Sequence, residues 1–331
     1  MEALVTGATG FIGGQVTRAL LAKGWSVRCL ARPTSPREQL ADCEVSWVEG
    51  DLRNEEGLEA ACEGVQAVFH AAAAYTLWSK TPEVFHETNV EGTRRVLAAA
   101  HNAGARVVYT SSVACVGQAP PGGLADEETR ATPEDLCGDY KQTKFEAEEV
   151  ALEAAAQGQD VVIVNPAAVI GPGDVKPTPT GKIIVDFLAG RMPFYLDTGL
   201  NFVDVRDVAR GHILAFEKGT PGRRYILGNR EGNLSLREFL GVVGEVTGKR
   251  PPRFKIPYGV AYMAGAVSTF WADRVSGTEP GVPLNGVKMA RHRMFFDPSR
   301  AIAELGLPQT PLQETVRDAV AWFRERGLVP A

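Results

Sequence analysis

Cysteine and histidine are scarce in this chain, at five residues each among 331. The cysteines (Cys29, Cys43, Cys62, Cys115 and Cys137) are odd in number and scattered, with no pair at CxxC spacing. That argues against a disulfide framework or a Cys/His metal cluster, and it points to a reducing, cytoplasmic compartment and no bound metal. Basic excess is lacking as well. The net charge is -5, so no nucleic-acid partner is expected. Long apolar runs are missing too. The most apolar late segment, Val260 to Trp271, is interrupted by Ser268 and Thr269 and followed by Asp273 and Arg274. It is too short for a membrane span and leaves only the option of an amphipathic patch against a membrane face. The first residues enter an apolar strand without a basic region or cleavage site, so no signal peptide is expected.

What is present is an ordinary globular composition, 44% hydrophobic and 23% charged, in a chain long enough to bury a large core. Short apolar runs at Ala3–Thr6, Ser26–Ala31, Glu44–Glu49, Ala67–Ala72, Arg106–Ser111 and Asp160–Asn165 read as buried strands. Between them Phe11–Lys23, Glu55–Cys62, Glu83–Ala103 and Tyr140–Ala156 have helical periodicity, with Pro82 heading the third helix and Gly104 ending it. This alternation predicts an α/β fold, a doubly wound parallel sheet with helices on both faces. After the Gly171-Pro-Gly-Asp break the pattern becomes mostly helical. The expected division is a dinucleotide-binding domain over 1–170 and a smaller, mainly helical substrate lobe over 171–331, with a segment near 201–228 crossing back to the sheet.

Thr6-Gly-Ala-Thr9-Gly-Phe-Ile-Gly13 follows the first strand directly and opens the first helix. Gly7, Gly10 and Gly13 would let a pyrophosphate approach the backbone N–H groups of a helix N-terminus with no Cβ in the way. Thr9, Phe11 and Ile12 complete that turn. A glycine-rich turn without a ligand is the alternative, and the strand–turn–helix context argues against it. The second strand ends at Arg32, where a carboxylate would hold the ribose 2′-hydroxyl of NAD. A guanidinium there suits a 2′-phosphate, so NADP(H) is favoured over NAD(H), with Arg37 as a helper and a merely solvated Arg32 as the alternative. Asp51 and Leu52, after the third strand, could reach the adenine edge or simply form a turn.

Tyr140-Lys-Gln-Thr-Lys144 opens a helix, and i, i+4 spacing puts Tyr140 and Lys144 on one face. A phenol with an ordinary pKa of about 10 needs a nearby cation to exchange protons near neutrality, and Lys144 could supply it. The pattern alone occurs by chance on many helices. The Thr110-Ser111-Ser112 strand end adds weight, because active sites of open α/β sheets lie beyond the carboxyl ends of the strands. His70, at another strand end, reads better as a buried structural histidine than as a catalytic one. Tyr75, Trp78, Phe194 and Tyr195 are candidates for an apolar pocket and equally for ordinary packing.

Together TGATGFIG, the TSS strand end and YxxxK, in this order and these contexts, resemble the extended short-chain dehydrogenase/reductases, in the NAD-dependent epimerase/dehydratase superfamily. The likeness covers essentially the whole chain, including Asn89–Thr93, Asn165-Pro166 and Phe202–Ala209. It is greatest to the dihydroflavonol-4-reductase-like branch, whose bacterial members include hopanoid-associated sugar epimerases, and Lys176–Asp186 and Asp197–Asn201 resemble that subgroup. The resemblance implies that Ser112, Tyr140 and Lys144 form the catalytic triad and that Arg32 selects NADP. It also places Ala71, Ala72 and Ala73 against the cofactor, with Thr110 among the cofactor contacts and Pro166 and Val169 beside the nicotinamide amide. Asn89 would shape the helix beside the site, and helices of the fourth and fifth crossovers would pair subunits into a homodimer. The favoured activity is hydride transfer between NADP(H) and a small-molecule carbonyl or alcohol. A nucleotide-sugar epimerase and a catalytically silent NADP(H) sensor are the alternatives. Dehydration is disfavoured because Val113-Ala114 stands where dehydratases carry an Asp-Glu pair.

Overall fold

The computed structural model describes residues 1–76, 78, 81, 83–119 and 122–330; Pro82, the expected head of a helix, lies outside them. Six strands form first: β1 (Glu2–Thr6), β2 (Ser26–Ala31), β3 (Ser46–Glu49), β4 (Ala67–His70), β5 (Arg106–Thr110) and β6 (Val161–Pro166). The helices between them are α1 (Phe11–Ala22), α2 (Glu55–Cys62), α3 (Glu83–Phe85), α4 (Gly92–Asn102) and α5 (Asp139–Ala156). A π-turn over His86–Glu91 joins α3 to α4, so the expected single helix contains a widened turn. The second half adds β7 (Ala168–Ile170), α6 (Pro179–Leu188), β8 (Phe194–Leu196), β9 (Gly199–Asp204), α7 (Val205–Lys218), β10 (Arg224–Leu227) and β11 (Asn233–Ser235). It closes with α8 (Leu236–Thr247), β12 (Phe254–Ile256), α9 (Tyr258–Trp271), α10 (Leu284–Met289), β13 (Arg293–Met294) and α11 (Leu312–Glu325).

The main sheet has the order β10-β6-β5-β4-β1-β2-β3, and every neighbouring pair is parallel. The order reverses between β1 and β4, which makes a crevice at their carboxyl ends. Strand alternation sends Ala3 and Val5 to one face, where they pack with Val16, Leu20, Val208 and Ile213 of α1 and α7. Leu4 faces the other side, with Val68 of β4, Val107 of β5, Leu97 of α4 and Ala147 of α5. The lobe has its own core, in which Phe202 of β9 and Phe239 of α8 stack at 3.8 Å. Segment 199–227 belongs to both regions: β9 pairs with β7, β11 and β13, whereas β10 pairs with β6. At the β9–α7 junction the buried Asp204 caps α7, and its carboxylate takes Arg206 at 2.7 Å and Thr315 at 2.9 Å.

Candidate active site

The glycine turn has the geometry of an anion cradle. Gly7 adopts φ +74°, and a Cβ there would lie 2.6 Å from the Ala72 nitrogen. A Cβ on Gly13 would lie 2.2 Å from the Gly7 carbonyl oxygen, so α1 can approach β1 only with glycine at that position. Gly10 caps α1 without a side-chain hydrogen bond, and no acidic residue occupies the first turn. The N–H groups of this end are therefore left for a ligand, and the dipole favours an anion. Phe11 and Ile12 turn their side chains into the core, leaving their backbone as the part of the cradle they offer. Thr9 is half-buried in the turn. Ala71 and Ala72 are tied to β1 through the Thr6 carbonyl (3.2 Å) and hydroxyl (3.3 Å), while Ala73 is exposed.

At the end of β2, Arg32 is exposed and its guanidinium makes no hydrogen bond or ion pair among the described residues; its charge helps to hold the Asp51 carboxyl low, after the larger effect of Arg53. Arg37 behaves differently, lying over the Trp47 ring at 4.9 Å and reaching Glu49. The Asp51 carboxylate is taken by Arg53 at 2.7 Å. Leu52 is 6% exposed and packs in the core, where it would meet a Cβ on Gly92 at 3.0 Å, so only its backbone remains at the edge.

The strand-end serines separate cleanly. Ser111 is buried and donates to the Cys115 sulfur, whereas Ser112 caps the 3-10 turn Val113–Cys115 by accepting from the Ala114 N–H at 3.1 Å. That leaves the Ser112 proton for another acceptor. Asn165 holds the Ser112 carbonyl at 3.0 Å while also donating to the buried Glu148. Tyr140 stands in the first turn of α5, reached through Gly138 at φ +83°. Its ring meets Tyr75 edge-on at 4.6 Å. Burial and the Tyr75 phenol push the Tyr140 pKa up, while the Ser112 hydroxyl pulls it down.

Lys144 is buried and its pKa falls to about 8, chiefly by desolvation. Its ammonium donates to the Tyr109 hydroxyl at 3.0 Å and to the Thr110 carbonyl at 2.8 Å. The ammonium is thus anchored on β5, one helical turn along α5 from Tyr140, and Tyr109 is a neighbour of the site that sequence reasoning missed. The Thr110 hydroxyl meets the His212 Nε2 at 2.9 Å, while its carbonyl accepts from Lys144. His70 is fully buried between the Thr6 and Thr93 hydroxyls, at 2.7 and 3.0 Å, and burial lowers its pKa to about 3. It is a neutral structural group.

Asn89 sits in the π-turn, a distortion often found at functional sites. Its amide accepts from the Ala74 N–H at 2.7 Å and donates to the Ala74 carbonyl and to Thr143 Oγ1. It thus clamps the loop bearing Tyr75 to the helix bearing Tyr140. Pro166 is buried at the end of β6, and Val169 packs its side chain into the core.

A cavity of about 250 Å³ opens beside Ser112 and Tyr140. Its walls include Tyr75, Ile183, Leu200, Met289, Met294 and Phe296, and no charged side chain is among its described lining residues. Of the four candidate pocket aromatics only Tyr75 lines it. Trp78 donates to Asp273 at 2.6 Å, and Phe194 and Tyr195 sit in the β8–β12 pair. Met289, Met294 and Phe296 could not be read as pocket residues, because such a wall asks only for apolar bulk and no motif marks it.

Comparison with known proteins places this geometry. The NAD dependent epimerase/dehydratase family model matches residues 3–228. The chain belongs to this family. A Synechocystis protein provisionally named dihydroflavonol 4-reductase is 46% identical over 98% of this chain and 95% of its own length. Sterol demethylase protein B of Methylococcus capsulatus is 36% identical over 99% and 100%, and cinnamoyl-CoA reductase 2 of Arabidopsis thaliana 30% over 98% and 93%. Among solved structures, a nucleoside-diphosphate-sugar epimerase from Pseudomonas aeruginosa superposes with a TM-score of 0.80 at 28% identity, covering 100% of this chain and 99% of that one. As a family member with named reductases among its relatives, the chain is an enzyme, an NAD(P)-dependent oxidoreductase of the short-chain dehydrogenase/reductase type. No helix among the described residues is long and apolar enough to cross a membrane, and no cluster of three or more His, Cys, Asp or Glu there could hold a metal ion.

Proposed function

We propose that the protein is an NADP(H)-dependent carbonyl reductase acting on apolar aldehydes or ketones through Ser112, Tyr140 and Lys144. The observation that carries this reading is the uncharged cavity beside Ser112 and Tyr140, which suits an apolar carbonyl compound and offers no partner for an anionic one. The cradle made by Gly7, Gly10 and Gly13 fits a pyrophosphate, and the unpaired Arg32 fits a 2′-phosphate. Residues 1–170 then hold the cofactor and 171–331 mostly shape the substrate side, with 201–228 returning to the sheet. A cytoplasmic location belongs to the same reading.

The cofactor, when bound, supplies or takes up hydride at the carbonyl carbon. Ser112 donates a hydrogen bond to the carbonyl oxygen and orients it, keeping its own proton. Tyr140 gives the proton that completes the alcohol. Burial raises its pKa and makes it a reluctant acid, and a positive Lys144 one turn along eases the loss of that proton. The anchorage on Tyr109 and Thr110 keeps the Lys144 ammonium in place beneath the site.

One observation favours a second reading. A neighbouring cavity of about 490 Å³ shares Met289, Met294 and Phe296 with the first and is lined by Lys141, Lys288, Arg291 and Arg293. A nucleotide sugar could place its diphosphate there, which would suit an epimerase. The test is to supply NADPH or NADH with a panel of aliphatic and aromatic carbonyls, and separately UDP- and GDP-sugars. Net NADPH consumption with an apolar carbonyl, reduced at least about 100-fold in Tyr140→Phe with cofactor binding intact, is expected. Sugar epimers without net cofactor change would overturn the reading in favour of epimerisation. Turnover unaltered in Tyr140→Phe would sink the mechanism, and binding without any turnover would leave a silent NADP(H) sensor.

A further inference from the structure

Helix α9 inverts the usual amphipathic arrangement. Its buried positions are the small Ala261 and Gly265, and a Cβ on Gly265 would lie 3.2 Å from Val287 and 3.3 Å from Leu284 of α10. Its large residues point the other way. Val260, Met263, Val267, Phe270 and Trp271 are each between 55% and 64% exposed. Their spacing places all five within one narrow face of the helix. From Tyr258 to Ala272 there is no charged residue at all. A contiguous exposed patch of this kind marks an interaction surface rather than ordinary surface scatter.

Charge identifies what it meets. Residues 249–293 carry eight Lys and Arg against two acids, a net +6 in a chain whose total is -5. Arg250 and Arg253 precede α9 and Arg274 follows it; all three are exposed and make no ion pair among the described residues. An apolar face carrying Trp, Phe and Met, bracketed by unpaired arginines, is what an anionic bilayer surface attracts. A two-fold pairing of copies across the same face would instead bring two net-positive surfaces together. We propose that α9 and its arginine flanks form a docking surface for an anionic lipid bilayer, on which the protein lies without spanning it. The surface backs onto the candidate site: α9 packs on α10, and Met289 of α10 is a wall of the apolar cavity. The docking does not depend on the reductase reading, so the two can fail separately.

The test is flotation of the full chain with vesicles of phosphatidylcholine alone or mixed equally with phosphatidylglycerol. At least about tenfold more protein is expected on the anionic vesicles at low salt, with the excess lost at high salt. The double variant Val267→Glu, Phe270→Glu should lose flotation while keeping its circular dichroism and its turnover of water-soluble substrate. Should that variant fail to fold, Arg253→Glu, Arg274→Glu provides the second arm and should abolish the preference for anionic vesicles. Absence of flotation at low salt, or flotation unchanged in both variants, overturns the proposal. So does a dimer in size-exclusion chromatography that Val267→Glu, Phe270→Glu converts to monomer, which would assign the face to a second copy.

Discussion

Helices α1 and α9 are both built on small residues, and the two use them for opposite ends. In α1, Gly13 lets backbone meet backbone, the large residues Val16 and Leu20 go into the core, and the helix N-terminus is left open toward a ligand. In α9, Gly265 lets α10 come close, and the large apolar residues are left facing outward. The first arrangement is rigid because every alternative clashes with main chain. The second has the Val287 side chain at 3.2 Å, which can yield, and the Leu284 Cα at the looser distance of 3.3 Å. A glycine in a helix therefore carries different information depending on what it faces, and the two halves of the molecule differ in the same way. The glycine turn after β1 is set by backbone approach, and the wall around α10 by side-chain bulk.

The largest test of this contrast is Gly13→Ala, which should destabilise the protein by about 3 kcal/mol or prevent folding, and abolish NADP(H) binding in any folded fraction. Chemical denaturation and fluorescence titration measure both. Arg32→Glu should next lower the NADPH-to-NADH ratio of kcat/KM by about 100-fold while leaving the order of preferred carbonyls unchanged. A parallel loss with both cofactors would break the assignment of Arg32 to a 2′-phosphate.

Acid sensitivity should also reside on the sheet side. His70 and His212 are neutral in the folded protein, with pKa values lowered by burial to about 3 and about 4. Below pH 6.5 the unfolded chain takes up protons that the folded one refuses, so stability falls as pH drops from 6.5 toward 4. His212→Asn should reduce that pH-dependent loss by on the order of 2 kcal/mol, read from denaturation midpoints at pH 7 and pH 4.5. An unchanged slope would place the acid sensitivity elsewhere. On the substrate side, Met289→Trp should raise KM for bulky carbonyls by about tenfold, with small aldehydes and cofactor KM little affected. The smallest effect belongs to Gly265→Ala, at under about 1 kcal/mol, because Val287 can move by the few tenths of an ångström required.

Much of the sheet side was legible in the chain. Ser26–Ala31 and Glu55–Cys62 have the bounds that periodicity predicts, because buried parallel strands are continuous apolar runs and their helices have clear starts and stops. The π-turn at His86–Glu91 was not legible, since local helix propensity does not register the pull of Ala74 and Thr143 on Asn89. The site divides similarly. Gly7, Gly13, Ser112 and Tyr140 were marked by motif and position. Tyr109, the His212 partner of Thr110 and the far wall of Met289, Met294 and Phe296 were not, because each depends on contacts across distant chain segments.

By itself the sequence determined the strand–helix alternation, the glycine turn and the pairing of Tyr140 with Lys144 on one helical face, since these follow from local backbone geometry and helical spacing. Only the tertiary structure decided where the Lys144 ammonium is anchored, that Leu52 is core, that the cavity is uncharged and that α9 turns its large residues outward. Those outcomes rest on which surfaces remain after distant elements have packed, and no local rule contains that information.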